Sequence, residues 1–530
     1  MALALALCLG ATRSDAQVAV GDSLWRLGRI DDAVAAYRRA LEEDRLSVRA
    51  NYRLSQTLAW SSNIDSALVL LRTARSRVPD DPDLLFTEAT YLSWGKRFAE
   101  AVLRFDSLGA AHPDTSYDYV RVARARTLSW DGRLEEAARG YEAILARDAA
   151  NRDAAFGLAQ VSAWSGDLDA GAARYERLLA SDSTEVRTLV GLGNLRLWQQ
   201  RPGDARRLLA RAVAADSANQ EVKDLQRAVA SAVAVRAELS TDYSEDSDRN
   251  VNRWQSLRLH AFLFDRMRAG LTVAQLAATD PGRIARRTLV EGSLGIPVWR
   301  GSLTAVASLR QMSPGPLNPG GPAPPDRDVV SGRLTLAQRV TSTLGVAATI
   351  SRWPFDEIAS ITPLALDITQ ADLSADWRVA RGTTVSASLG LLDWSDGNQK
   401  RTWSARATRQ LPRNFSAGAF ITGFGFDSTS TRYFSPAQFI SGEATGGWTH
   451  DTPRWSAGLG AGLGGQRVGT RATQSQWHAD ARLERKWTAR WSLEARAARS
   501  NSLAATAGSV SSAVGAYAYS TLGLSVRRSF

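Results

Sequence analysis

The feature that most restricts this chain is a series of amphipathic segments of roughly ten residues that runs from Val235 to the carboxyl terminus and is plainest between Trp477 and Trp487. There Trp477, Ala479, Ala481 and Leu483 alternate with His478, Asp480, Arg482, Glu484 and Lys486, with Arg485 as the one interruption. A period of two places the two sets on opposite faces of a strand. One such strand fits any sheet with a wet side. A long series of such segments, apolar on one face and charged on the other, suits a closed barrel with lipid outside and water inside.

The alternation predicts sixteen strands, at 236–244, 254–264, 268–279, 286–297, 302–312, 329–339, 342–353, 365–378, 383–394, 401–411, 414–427, 437–449, 454–467, 474–487, 490–501 and 513–530. Short turns such as Phe264 to Met267, Arg378 to Gly382, Leu411 to Asn414 and Lys486 to Arg490 alternate with longer polar loops. The longest is expected at Ser313 to Asp328, with others at Pro354 to Leu364, Asp427 to Pro436 and Asn501 to Ser512. Short turns face the periplasm and long loops the outside, so an even strand count leaves both barrel ends periplasmic. The same register aims Asp372, Asp376, Arg378, Arg406, His478, Asp480, Arg482, Glu484 and Arg496 at the lumen, together with Glu238, Asp242, Arg258 and Arg527. Sixteen strands enclose an aqueous channel, whereas eight are filled by side chains. Outward Trp377, Trp403, Trp448, Trp477, Trp487 and Trp491 lie near strand ends, where amphipathic rings favour a lipid interface. The last strand carries Leu522, Leu524, Val526 and Phe530 on its outward face, an aromatic terminus of the kind that barrel-assembly machinery reads.

The amino-terminal half obeys a different period. Small residues at Ala33, Ala67, Ala101, Ala137, Gly171 and Ala205 are spaced by 34, 34, 36, 34 and 34, and each is followed four residues later by Tyr37, Leu71, Phe105, Tyr141, Tyr175 or Leu209. A repeat near 34 residues is the tetratricopeptide length, two helices per unit. Gly28, Gly95, Gly132, Gly166 and Gly203 read as breaks within repeats, while Pro79 and Pro113 close second helices. The expected organisation is a leader at 1–16, six repeats at 17–219, a capping helix and linker at 220–235, and the barrel at 236–530. The fold class is therefore multidomain, an all-α solenoid followed by an antiparallel transmembrane β-barrel.

Superposed on the repeats is a ladder of Trp60, Trp94, Trp130, Trp164 and Trp198, each near the end of a first helix. Four residues before them stand Gln56, Thr90, Arg126, Gln160 and Asn194, one turn away on the same face. Two readings fit. The rings are packed between repeats, or they form a track along the concave side that stacks on sugar rings while the polar partners meet hydroxyls.

Charge and composition narrow the function. The excess of +11 lies wholly in the barrel half, where 34 basic residues face 23 acidic ones; the first 235 residues carry 31 of each. The arginines are scattered over turns and alternate strand positions instead of gathering in a patch, so no nucleic-acid partner is expected. No apolar run is long enough for a helical span. Ala2 to Gly10 followed by Ser14-Asp15-Ala16 reads as an export leader that leaves Gln17 first. The one cysteine, Cys8, lies inside it, so disulfide and thiolate chemistry are not expected in the mature chain.

Catalytic signatures are missing. The histidines His112, His260, His450 and His478 have no zinc-protease spacing, and neither a phosphate loop nor a nucleophile elbow occurs. Gly460 to Gly465 matches GxGxxG but sits within a strand pattern. Asp246-Ser247-Asp248 with Asn250 has part of a calcium loop without its glycine and distal glutamate. No enzyme activity, cofactor or metal is expected.

The repeat units Leu128 to Ala137 and Ala163 to Leu168, and the first strand with Asp246-Ser247-Asp248 after it, resemble those of YaiO-type outer-membrane proteins. The stretch Tyr433-Phe434-Ser435-Pro436-Ala437-Gln438-Phe439 resembles a barrel segment of the bacterial cellulose-synthase export subunit. That family and the export porin for poly-N-acetylglucosamine join periplasmic repeats to a sixteen-stranded barrel and pass a polysaccharide outward. The resemblance implies an outer-membrane conduit for an exopolysaccharide whose repeats face the periplasm and dock synthase or other periplasmic proteins. A scaffold with a non-conducting barrel, or a small-solute porin, are the other classes.

Overall fold

The computed structural model describes residues 13–264, 266–380, 382–502 and 517–530, which divide into two compact units after Leu195. Among the described residues the first part of the chain forms thirteen α-helices. They are α1 (Arg13–Arg26), α2 (Ile30–Glu43), α3 (Val48–Trp60), α4 (Ile64–Arg75), α5 (Pro82–Trp94), α6 (Phe98–Ala111), α7 (Asp118–Trp130), α8 (Leu134–Arg147), α9 (Arg152–Trp164), α10 (Leu168–Ser181), α11 (Val186–Trp198), α12 (Pro202–Ala215) and α13 (Gln220–Val233). Odd-numbered helices from α1 to α11 open a repeat and even-numbered ones close it. Helix α1 starts at Arg13 rather than at Gln17, and Ser14 Oγ within it donates to the Ala40 carbonyl at 3.0 Å. Most of the expected leader lies outside the described residues.

Local chemistry sets these boundaries. Ser47, Asp81 and Asn151 cap α3, α5 and α9 by accepting from the backbone N–H three residues on, which satisfies a donor the helix leaves open. The break inside each repeat falls on a residue of positive φ: Gly28, Ser62, Lys96, Gly132, Gly166 and Gln200. Gly95 lies between α5 and α6 as composition implied, whereas Gly203 does not lie between helices. Gly95 keeps φ −75 and hands the left-handed position to Lys96, while Gly203 lies in the first turn of α12 behind Pro202.

Packing follows the repeat. Ala33, Ala67, Ala101 and Ala137 are fully buried, and Tyr37, Leu71, Phe105 and Tyr141 beside them nearly so. The second-helix tyrosine lies over a glycine of a first helix: a Cβ at Gly157 would come within 2.3 Å of the Tyr141 ring. Burial pushes the Tyr141 hydroxyl up to about 12 against the pull of Arg126, which sits close enough to hydrogen-bond it.

The second unit is built on a closed antiparallel barrel. Its strands are β1 (Arg236–Asp246), β2 (Val251–Leu263), β3 (Met267–Asp280), β4 (Arg283–Val298), β5 (Gly301–Ser313), β6 (Arg327–Arg339), β7 (Leu344–Pro354), β8 (Asp367–Ala380), β9 (Thr383–Trp394), β10 (Gln399–Gln410), β11 (Phe415–Phe426), β12 (Phe439–Asp451), β13 (Trp455–Val468), β14 (Gln474–Lys486), β15 (Trp491–Ser500) and β16 (Tyr519–Ser529). Each pairs with its neighbours in sequence, and β16 closes on β1 from Arg236 opposite Ser529 to Asp246 opposite Tyr519. Strand β2 begins earlier than the alternation predicted because the Asp246 carboxylate makes a tight turn, accepting from the N–H groups of Asp248 and Asn250 and from the Asn250 side chain. Strand β16 begins later than predicted; of the expected start, 513–516 lies outside the described residues.

The connections at the even-to-odd end are all short (264–266, 299–300, 340–343, 381–382, 411–414, 452–454 and 487–490), and both sheet termini lie there. The longer connections, 314–326, 355–366, 427–438 and 501–518, share the other end with four tight turns. Leu239, Leu257, Leu259, Leu522 and Leu524 point outward and are exposed, while Ser240, Ser256 and Ser525 point inward and are buried. Two of the outward arginines lie against aromatic rings. Arg485 covers Trp455 at 4.5 Å, and Arg528 covers Trp491 at 4.9 Å and Phe530 at 4.3 Å. Both lie at the short-turn end, where a lipid-facing arginine costs about 0–1 kcal/mol instead of the about 2–4 of the midplane.

Phe530 extends the β16 edge by donating its N–H to the Val235 carbonyl at 2.9 Å, and its ring stays outward. Deleting Phe530 removes both the last hydrogen bond of the closing seam and the outward aromatic end. A lower yield of heat-modifiable, folded barrel is expected on gels; wild-type yield from the deletion would discard the assembly-signal role.

Candidate functional site

Three surfaces carry the chemistry this chain can offer. The first is the ladder. Trp60, Trp94, Trp130, Trp164 and Trp198 are 63%, 42%, 42%, 36% and 50% exposed. Their partners Gln56, Thr90, Arg126, Gln160 and Asn194 are all half-buried on the same helix faces. Both poles of the Gln56 amide are engaged: it donates to Tyr52 Oη at 3.0 Å and accepts from Arg53 at 3.2 Å. Thr90 returns its hydroxyl to the Phe86 carbonyl at 2.9 Å. One ring escaped the sequence reading. Trp25 lies 5.1 Å from Trp60, centroid to centroid, and lengthens the ladder by one plate. It was missed because it sits one residue out of step, 35 before Trp60, with Gly21 where a polar partner would stand.

The second surface is the lumen wall. From β12 round through β16 to β2, inward charges form three ion-paired groups. Glu238 accepts from Arg258 at 3.1 Å and from Arg527 at 3.2 Å, and Arg527 reaches Glu484 at 3.4 Å. Arg496 bridges Asp242 at 3.1 Å and Glu494 at 3.5 Å, and Arg482 meets Glu494 at 3.8 Å. His478 Nδ1 lies 3.0 Å from Glu443. Asp480 occupies room that Gly460 leaves, since a Cβ there would be 2.4 Å from its carboxylate. Asp372, Asp376, Arg378 and Arg406 face the same lumen from β8 and β10 but join no ion pair among the described residues. Asp372 accepts from Gln370 at 2.6 Å, Asp376 from Ser386 at 2.6 Å, and Arg406 stacks over Phe420 at 4.6 Å. Paired acids and bases of this kind hold a wall in shape and give no single-sign field. Among the described residues no group of three His, Cys, Asp or Glu side chains is placed to hold a metal.

The third surface was expected as a polar outer loop and is the opposite. Residues 355–366 bury Phe355, Ile358, Ile361 and Leu366 against inward Ile368, Leu392, Trp394 and Phe426 and against Tyr433 of the next long loop. Ala359 sits on Ala278 and Ala285 of β3 and β4. The segment thus reaches the inner wall from β3 round to β11. Its charged clasp is Asp356, which takes Arg287 at 2.5 Å and Arg310 at 3.2 Å and is itself buried. Thr362 accepts from the Gly315 N–H at 3.3 Å, which ties the 314–326 loop to it. Tyr433, the first residue of the Tyr-Phe-Ser-Pro stretch, stacks parallel to Trp394 at 6.0 Å and accepts from Asn398 at 2.9 Å. A sequence signal existed: Phe355, Ile358 and Ile361 recur every third residue in a segment that a solvated loop would have made polar.

The tetratricopeptide repeat family model matches residues 24–85. No curated protein matches the chain. Among solved structures the chain is similar to a bacterial polysaccharide outer membrane secretin at 12% identity, over 56% of this chain and 98% of that one, with a TM-score of 0.43. It is similar to CdiB from Acinetobacter baumannii at 13% identity, over 56% and 60%, with a TM-score of 0.37. A tetratricopeptide repeat protein from Parabacteroides merdae matches at 15% identity, over 43% and 88%, with a TM-score of 0.38.

Proposed function

We propose that this chain is an outer-membrane conduit through which a polysaccharide leaves the cell, made with an export leader and with its repeats in the periplasm. The observation that carries the reading is the exposed tryptophan ladder with a polar side chain one turn from each ring. A sugar presents an apolar ring face and a rim of hydroxyls, and this surface repeats the complement of both. A wet, charge-balanced lumen suits a polymer that is polar without a strong charge of its own.

The test is Trp130→Ala with Trp164→Ala. Each ring contributes about 0.5–1.5 kcal/mol of stacking, so glycan binding to the repeats and polymer release by cells should both fall. Melting of the repeats should move little, because removal of a buried ring costs about 3–5 kcal/mol and these rings are exposed. Undiminished export from the double variant would overturn the reading. The 355–366 segment packed inside the barrel mouth favours a second one, in which the barrel is chiefly an anchor and the ladder binds a protein partner. Peptide binding by the repeats, with no affinity for glycans, would select it.

A further inference from the structure

We propose that a hollow of about 530 Å³ in the inner wall of β4–β8 is a binding subsite for a neutral saccharide segment. This deepens the conduit reading and rests on it for the identity of the ligand class. The hollow is lined by the hydroxyls of Ser308, Ser331, Thr335, Thr349 and Ser351, on three adjacent strands. Thr335 and Thr349 bond each other at 3.0 Å. Ser331 does not: it is 6% exposed, it lies directly across from Ser308, and its Oγ has no partner among the described residues. A buried hydroxyl without a partner is costly unless something in the hollow answers it.

The charges around it choose the ligand. The lining carries Arg310, Arg333 and Arg352 against Glu291 and Asp372, with Arg310 and Arg352 also answered by Asp356 and Asp367 outside it, so an isolated anion meets two carboxylates and an isolated cation meets guanidinium groups. A polyol meets neither penalty, since each of its hydroxyls both donates and accepts. Arg310 Nε is buried without a partner among the described residues, and Trp353 adds an aromatic surface to the lining. The volume lies within the range of about 300–1,000 Å³ typical of small-ligand pockets, enough for a short stretch of sugar units. The same Arg310 holds Asp356 of the mouth segment through its other nitrogen, at 3.2 Å, so the subsite adjoins the clasp.

Fluorescently labelled cellohexaose and chitohexaose, titrated into the full chain in detergent micelles, test the site. At least one should bind saturably. Ser331→Val with Ser351→Val should weaken that binding by about tenfold or more in a barrel of unchanged heat-modifiable mobility. Ser331→Ala, which removes only the hydroxyl, guards against a folding defect and should weaken it severalfold. Trp130→Ala with Trp164→Ala should leave the lumenal component in place. Absence of saturable binding, or binding indifferent to Ser331→Ala and to the valine pair, would overturn the site. Binding that responds to these serines in a chain that exports no polymer would instead remove the conduit reading and keep the site.

Discussion

Deletion of residues 356–364 should turn a poorly conducting barrel into a freely conducting one in planar bilayers, and Asp356→Ala should open it intermittently. The difference between the two follows from magnitudes. Asp356→Ala leaves Arg287 as a buried guanidinium without its carboxylate, a loss of about 3–5 kcal/mol, which shifts the balance between docked and released segment by roughly a hundredfold or more. Against that stand Phe355, Ile358 and Ile361, each buried in the mouth cluster and each retaining about 1.5–3 kcal/mol of apolar burial. The segment should therefore come and go rather than leave, giving a flickering current of several times the wild-type mean. Shortening the 314–326 loop between Asn318 and Pro324 should change little, because only Gly315 of that loop is bonded to the segment through Thr362. The open pore should discriminate weakly between cations and anions, since Asp480, Glu484 and Glu494 share the lumen with Arg482, Arg496 and Arg527. Equal currents from wild type and deletion would show that the segment does not control the passage.

The limits of the sequence reading have physical reasons. Alternation of apolar and charged residues reports which face a side chain takes, so the strand count was legible. Alternation says nothing about a stretch without regular structure. The strand pattern breaks at Pro354 and places Pro354 to Leu364 in an outer polar loop, although the apolar residues there need an apolar partner. The partner was the inward Trp394 and Phe426, whose place near the mouth depends on closure of the sheet. In the same way Arg287 and Arg310 were two arginines among many until Asp356 came between them. In the repeats the period located every ladder tryptophan but Trp25, and could not decide exposure. That depends on which side of the first helix the second helix covers.

Gly464→Val should abolish the folded barrel, while Gly458→Val on the same strand and the same face should be tolerated. Both glycines belong to the glycine-rich part of β13 that contains the accidental GxGxxG match, and composition alone gives no reason to treat them differently. Geometry does. A Cβ on Gly464 would lie 1.9 Å from the Gly442 carbonyl oxygen and 2.6 Å from Glu443 Cα, both backbone atoms of the paired strand. At Gly458 nothing lies within 4 Å. A side-chain collision in a core costs about 1–3 kcal/mol because a rotamer can yield. Here the obstacle is main chain, so relief requires β12 and β13 to part, and a barrel with one pair open exposes two strand edges to lipid with their N–H and C=O groups unsatisfied. At Gly458 the β-branched replacement has room and suits a strand. Heat-modifiable mobility of the two variants, expressed side by side, reads the result. Folded barrel from Gly464→Val would mean that the β12–β13 approach at Gly442 is not the close one described, and loss of both variants would mean that β13 needs glycine for lightness rather than for contact.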